Sequence, residues 1–373
     1  MKKLVILIVV IVVILGVWKL ATKNNKPAET VQAATYKVGF IGPLTGDASS
    51  IGTVNRAAVE VAIAEVNKDG GINGKPLEAV YEDGKCNATA ATNAASKLIN
   101  VDRVSVIIGG LCSTETAAFG PTAMQNKVPV FSYGSSAPSL SQLGKYFFRS
   151  YPSDAFQGKF AAEYAYNTLS ARKVAVVYHV SEWGTGIKNV FESRFKELGG
   201  QIVSEDGAPQ DAKDYRTQLS KAKAANPDLI YAPTYPDGGT VLLTQASQLG
   251  IKTQFLGADG WADPKLWKAI GGKANVMFTA PVNSSPDSFK QKILAKTGGK
   301  DVPIGTANAY DNVKMIAAAM KDVGTDPDKM QSALRVMQYD GVSGHVSFDA
   351  NGDVTSANYN VSKIANGTAT EVK

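Results

Sequence analysis

From residue 36 onward, short apolar runs alternate with longer stretches patterned at helical spacing. The runs at 37–41, 77–82, 104–109, 128–131, 173–178, 201–205, 229–232, 254–256 and 276–279 predict strands. Several are apolar almost without a break, as at 104–108 and 174–178. Such runs suit parallel strands covered on both faces. The segments 55–68, 88–100, 114–125, 155–169, 186–198, 215–225 and 239–249 lie between them and predict helices. Strand and helix in alternation predict an α/β fold built on doubly wound parallel sheets. The rhythm changes late. Helical stretches at 306–323 and 328–338 follow one another without a strong strand, and β-like runs at 344–348 and 359–364 close the chain. Two lobes with several crossovers would produce that change. The polar stretch from Asp349 to Asp353 predicts a hairpin turn.

The first 35 residues follow a different pattern. Lys2 and Lys3 precede an apolar run from Leu4 to Trp18. As a helix of ~1.5 Å per residue it would span about 22 Å. That is short of a hydrocarbon core of about 30 Å, but tilt and snorkelling lysines close such a gap. Basic residues before an apolar core mark a secretory signal or a signal anchor. No cysteine follows for a lipid anchor, and the small-residue motif Val31-Gln32-Ala33 lies far beyond the run for a cleavage site. An uncleaved anchor is therefore preferred over a cleaved signal, with residues 19–35 as a flexible tether. Both readings place the body outside the cytoplasm.

Composition narrows the function. Apolar residues at 44% and charged residues at 19% exclude a largely disordered chain. The leader carries five lysines against one glutamate, so only +2 of the formal +6 belongs to the rest of the chain. The basic balance is therefore no nucleic-acid signal. Two cysteines and two histidines argue against a metal scaffold or a histidine relay, and no metal or cofactor is expected. Cys86 and Cys112 would pair in an oxidising compartment, stabilising the fold by roughly 3–4 kcal/mol; in a reducing one they would be two buried thiols. The first strand ends in Gly42-Pro43-Leu44-Thr45-Gly46, which is not a dinucleotide fingerprint, and no Walker A or nucleophile-elbow sequence is present. His179 and His345 lack an evident catalytic partner and read as satisfied or exposed side chains. An enzyme is not expected.

Polar groups gather just after strands instead. Ser113, Thr114 and Thr116 follow one strand, and Ser132, Gly134, Ser135 and Ser136 follow the next. Open α/β sheets bind ligands beyond the carboxyl ends of their strands, where hydroxyls and helix N-termini can hold an anion. Each cluster alone would be ordinary capping and turn chemistry. Two in succession point to a binding edge. Trp183, Tyr235 and Asp259 also follow strands. Aromatic rings make apolar walls, and a carboxylate among them can pair with an ammonium.

At these loops the chain resembles the type I periplasmic solute-binding proteins of ABC importers, and within them the leucine/isoleucine/valine-binding branch. The resemblance runs from Gly39-Phe-Ile-Gly-Pro-Leu-Thr-Gly46 to Phe348-Asp-Ala-Asn-Gly-Asp353 and includes Asn67-Lys-Asp-Gly-Gly-Ile-Asn-Gly74, Ile108-Gly-Gly-Leu-Cys-Ser113 and Gly250-Ile-Lys-Thr-Gln-Phe-Leu-Gly257. It implies two doubly wound parallel-sheet lobes joined by a three-crossover hinge. Residues 36–153 with 282–344 would form lobe 1, and 154–281 with 345–373 lobe 2. It implies a disulfide between Cys86 and Cys112. It also implies that Ser113, Gly134 and Ser136 meet a ligand's carboxylate and ammonium, that Asp259 pairs with the ammonium, and that Tyr235 and Tyr310 are pocket aromatics. Trp183 stands where a tyrosine is common and Ile51 where an aromatic is common. The implied function is an extracytoplasmic substrate-binding protein that captures an amino acid, branched-chain or otherwise apolar, for an ABC permease in the membrane. A monomer is expected. The alternatives are a ligand-sensing module and a binder of amide, urea-like or aromatic-acid solutes.

Overall fold

The computed structural model describes residues 35–372 apart from 272–274, 283–284 and 300. The expected leader lies outside the described residues. Among these, no helix is long and apolar enough to cross a membrane.

Two sheets organise the body. The first holds β1 (Tyr36–Gly42), β2 (Leu77–Asp83), β3 (Ile107–Ile108), β4 (Val130–Ser132) and β5 (Phe147–Arg149), all parallel, in the order β2-β1-β3-β4-β5. The second holds β6 (Lys173–Val180), β7 (Gln201–Pro209), β8 (Leu229–Tyr231), β9 (Gln254–Gly257) and β10 (Val276–Pro281), again parallel, in the order β7-β6-β8-β9-β10. Each sheet thus repeats one doubly wound order, with a switch point between its first and third strands. The short strands β11 (Tyr339–Gly341) and β12 (Gly344–Val346) pair as a hairpin, while β13 (Tyr359–Ala365) and β14 (Thr368–Glu371) add antiparallel strands beside β10.

The apolar runs behave as parallel strands should. In the first sheet Phe40, Ile108, Phe131 and Phe148 face one core, and their neighbours Ile41, Ile107, Val130 and Phe147 face another. In the second, Ala175, Val177, Ile230 and Phe255 face one side while Val174, Val176, Leu229 and Leu256 face the other. Helices cover both faces, so period-2 alternation delivers apolar groups to two cores.

The chain passes between the sheets three times. It leaves β5 for the helix Asp154–Glu163, which packs behind the second sheet. It returns after β10 to the helix Asp287–Thr297, whose Phe289 and Ile293 join the first core. It leaves again after Val354 to form β13. This last crossing comes later than expected. Val346, Phe348 and Val354 pack in the first core, so residues 345–354 belong with lobe 1. A buried ion pair holds them there. Arg149 Nε and Nη2 donate to the two carboxylate oxygens of Asp353 at 2.7 and 3.0 Å. The polar turn is the hairpin predicted from sequence, closed by an antiparallel bridge between Phe348 and Val354.

Other departures are local. Strand β5 was not foreseen, because three residues, Phe147–Arg149, are too few to show a period. The run at 104–109 is a regular strand only over Ile107–Ile108; before it, Ser105 N–H donates to Lys37 O and Val106 O accepts from Gly39 N–H, and Gly109 leads into the loop toward Ser113. The helices Pro264–Ile270 and Asp287–Thr297 also escaped notice, since each buries only two side chains.

Candidate functional site

The two switch points face each other across one small cavity. From lobe 1 it is lined by Ala48 and Ile51 after β1, Leu111 after β3, Gly134 and Ser136 after β4, and Ile304. From lobe 2 come Trp183 after β6, Tyr235 after β8, and Asp259 and Gly260 after β9. Every wall but Ile304 thus comes from a loop or a first helical turn that follows the carboxyl end of a parallel strand, where such sheets place ligands. The lobes are bridged around it. The Ser50 hydroxyl donates to Asp263 Oδ2 at 2.9 Å, and the Ser139 hydroxyl donates to Glu182 Oε1 at 2.5 Å. Asp237 N–H donates to Asp47 Oδ1 at 3.2 Å.

Backbone shape sets the lobe 1 wall. A Cβ on Gly134 would sit 2.5 Å from a Leu111 methyl and 3.1 Å from its carbonyl oxygen, so a side chain there would have to push the Leu111 loop aside. Arg149 Nη1 donates to the carbonyls of Ser135 and Ala137, at 3.3 and 2.9 Å, and so grips the loop on both sides of Ser136. Ser113 does not line the cavity. Its hydroxyl accepts from Ala137 N–H at 3.0 Å, so it braces the Ser136 loop from behind. Glu115 fixes the preceding turn by accepting from the N–H groups of Leu111, Cys112 and Cys86 at 3.1–3.2 Å. Burial pushes this carboxyl up to about 7 against those hydrogen bonds. Glu115→Ala strands three buried donors. It is expected to destabilise the protein by about 1–3 kcal/mol in urea unfolding; an unchanged midpoint would show that the turn holds without it. Cys86 and Cys112 meet beside it with Cα atoms 5.2 Å apart, within disulfide range.

The lobe 2 wall is aromatic. Trp183 and Tyr235 stack with ring centroids 4.7 Å apart. Both rings are buried. His179 supports this loop. Its Nδ1 accepts from Tyr235 N–H at 3.2 Å, and its Nε2 faces the Tyr215 hydroxyl at 2.7 Å. Burial pulls the imidazole down to about 3, so at neutral pH it is an uncharged strut. No partner for this histidine is evident in sequence, because both its partners lie on other strand-end segments.

Asp259 supplies the charge. It is buried, and its Oδ2 accepts from the Tyr151 hydroxyl at 2.6 Å. Burial pushes its pKa up to about 6, while Tyr151 and the Gly260 N–H pull it down. A second acid, Asp154, escaped the sequence reading. It opens the helix Asp154–Glu163, where an acidic residue looks like routine dipole chemistry. Here it is fully buried, with neither carboxylate oxygen in a well-formed hydrogen bond. Burial and the charge of Asp259 raise its pKa well above the usual range. Two buried, interacting acids beside an apolar wall make a strong demand for a cation.

Tyr310 lies elsewhere. It points to the outer side of lobe 1, where its hydroxyl donates to the Glu65 carboxylate and its ring packs edge-on to Phe289 and between Lys292 and Lys314. It is not among the residues that line the cavity. The helix Thr306–Val323 presents its first turn, not its second, toward the hinge: Asn308 donates to Ser150 O at 2.9 Å. Of the expected ligand residues, the structure brings Gly134, Ser136, Trp183, Tyr235 and Asp259 together.

Two like-wound lobes closing on a cavity with a polar loop on one side and acids among aromatics on the other define a two-lobed solute-binding protein. A periplasmic binding protein family model matches residues 35–369. A leucine-, isoleucine-, valine-, threonine- and alanine-binding protein of Pseudomonas aeruginosa is 28% identical over 356 residues, spanning 92% of this chain and 94% of the relative. A solved leucine-binding protein of Thermotoga maritima superposes with a TM-score of 0.84 at 30% identity, covering 91% of this chain and 98% of that one. The branched-chain amino acid transporter substrate-binding protein of Streptococcus pneumoniae, solved with isoleucine, gives 0.81 at 27%, covering 91% and 100%. The chain belongs to the periplasmic binding protein family.

Proposed function

We propose that this protein captures a branched-chain or other apolar α-amino acid outside the cytoplasmic membrane and delivers it to an ABC permease. The observation that carries the reading is the polarity of the cavity. Asp259 offers negative charge to an ammonium, while burial and that charge keep the nearby Asp154 protonated. Gly134 and Ser136 offer neutral dipoles to a carboxylate, and Ile51, Leu111, Trp183, Tyr235 and Ile304 enclose an aliphatic side chain. A buried zwitterion needs both ends matched, since an unpaired charge taken from water costs several kcal/mol. An aromatic acid has no ammonium to meet Asp259, and a urea-like solute leaves the apolar wall unfilled. The names of the relatives support the same ligand class. In this reading the two cysteines close a disulfide, residues 4–18 tether the protein to the membrane, and it works as a monomer whose lobes hinge about the three crossings.

A thermal-shift screen of the twenty amino acids, benzoate and urea tests it. Leucine, isoleucine and valine are expected to raise the melting temperature. At one hundred times Kd the gain is about 2.7 kcal/mol. Stabilisation by benzoate or urea with none by any amino acid would overturn the assignment.

A further inference from the structure

Tyr151 sits where three features meet. It lies on the first crossing between lobes, between β5 and the helix Asp154–Glu163. Its neighbours are pinned. Ser150 N–H donates to Ser132 O at 3.2 Å, Asn308 donates to Ser150 O at 2.9 Å, and Asp154 N–H donates to Ser136 O at 2.8 Å. The ring is buried and its hydroxyl reaches across to Asp259 Oδ2 at 2.6 Å. It also lines a second cavity with Pro281 and Val282 of the second crossing, which shares Ile304 with the first cavity. A residue anchored in the hinge therefore holds the acid that faces the ligand.

We propose that Tyr151 is the positioning residue of the ammonium subsite: its hydroxyl holds the Asp259 carboxylate toward the cavity in its charged form and ties it to the hinge crossing. The inference rests on the amino-acid reading above. Asp259 needs such a donor because its other titratable neighbours do not favour its charge. Asp154 on the adjoining helix is a second buried acid, pushed well above the usual carboxylate range by burial and by the charge of Asp259, and supplies no positive charge. Tyr231 of β8, Tyr235 before the helix Pro236–Gln248, and Tyr359 of β13 also lie in its field as neutral, buried phenols. Arg149 acts on Asp154 but is committed to Asp353. A short hydrogen bond from a phenol to a carboxylate stabilises the ionised acid more than the neutral one.

The test is leucine binding by Tyr151→Phe against wild type across pH, by calorimetry. Without the hydroxyl, Asp259 holds its proton to higher pH, so the deficit is largest in acid. Affinity is expected to fall about tenfold at about pH 6 and to lie within about threefold of wild type at about pH 8.5. A purely structural role for the hydroxyl would give the same ratio at both values, and that result, or no loss at all, would overturn the proposal. Carboxyl carbon NMR of unliganded protein gives an independent arm. The Asp259 midpoint should move up in Tyr151→Phe and down in Tyr151→3-fluorotyrosine, which keeps the ring and strengthens the donor. Unmoved midpoints would overturn the proposal. If wild type bound no amino acid, the functional reading would fail while these midpoints still decided the role of Tyr151.

Discussion

Asp259→Asn is expected to weaken branched-chain amino acid binding by about 2–4 kcal/mol, or roughly thirtyfold to a thousandfold. The substitution keeps the size of the side chain and an oxygen for the Tyr151 hydroxyl. It removes only the charge that meets the ammonium. Its effect on the unliganded protein should run the other way. Burial raises the folded-state pKa of Asp259 from its ordinary value of 3.8 to about 6. The folded state therefore holds that proton more tightly than the unfolded chain, and the contribution of Asp259 to stability falls as pH rises from about 4 through about 6. At neutral pH the buried charge is a cost, so Asp259→Asn should unfold at equal or higher urea than wild type. Lost affinity with retained or improved stability is the signature of a site acid. Unchanged affinity by calorimetry would remove Asp259 from the site.

The largest stability loss is expected from Asp353→Ala, at about 3–5 kcal/mol, because it leaves the guanidinium of Arg149 buried without its partner. Arg149 is fully buried and its remaining donors go to Ser135 O, Ala137 O and the Ser141 hydroxyl. Released from Asp353, it would no longer hold the loop that presents Ser136, so amino-acid affinity should fall as well. The double variant Arg149→Met with Asp353→Leu should lose less stability than Asp353→Ala alone, since it removes both charges. Urea unfolding of the set checks this. If Asp353→Ala were nearly neutral, the pair would be ornamental and the late turn would not be fastened to lobe 1 by charge.

Much of the scaffold was legible in the chain. Nearly unbroken apolar runs such as 174–178 suit strands covered on both faces, and their alternation with helical stretches leaves few arrangements besides doubly wound sheets. The edge that binds was legible for a related reason: polar loops such as 132–138 follow directly on apolar strands. The roles of single side chains were less so. Ser113 and Ser136 look alike in sequence, yet one braces a loop and the other lines the cavity. Tyr310 has the composition of a pocket aromatic, but the rotation of its helix turns it to Glu65. Asp154 looks like a helix-start acid until its full burial and its two oxygens without a well-formed hydrogen bond set it apart.

The sequence by itself determined what is local and periodic: strands, helices, the polar strand ends and the charge of the leader. These depend on neighbours within a few residues, so the chain carries them openly. Only the tertiary structure decided which acids share a cavity, that Tyr151 reaches Asp259 across 108 positions, and that residues 345–354 return to lobe 1 through an ion pair spanning 204 positions. Such pairings depend on how two lobes and three crossings are set in space, and no short-range pattern encodes that distance.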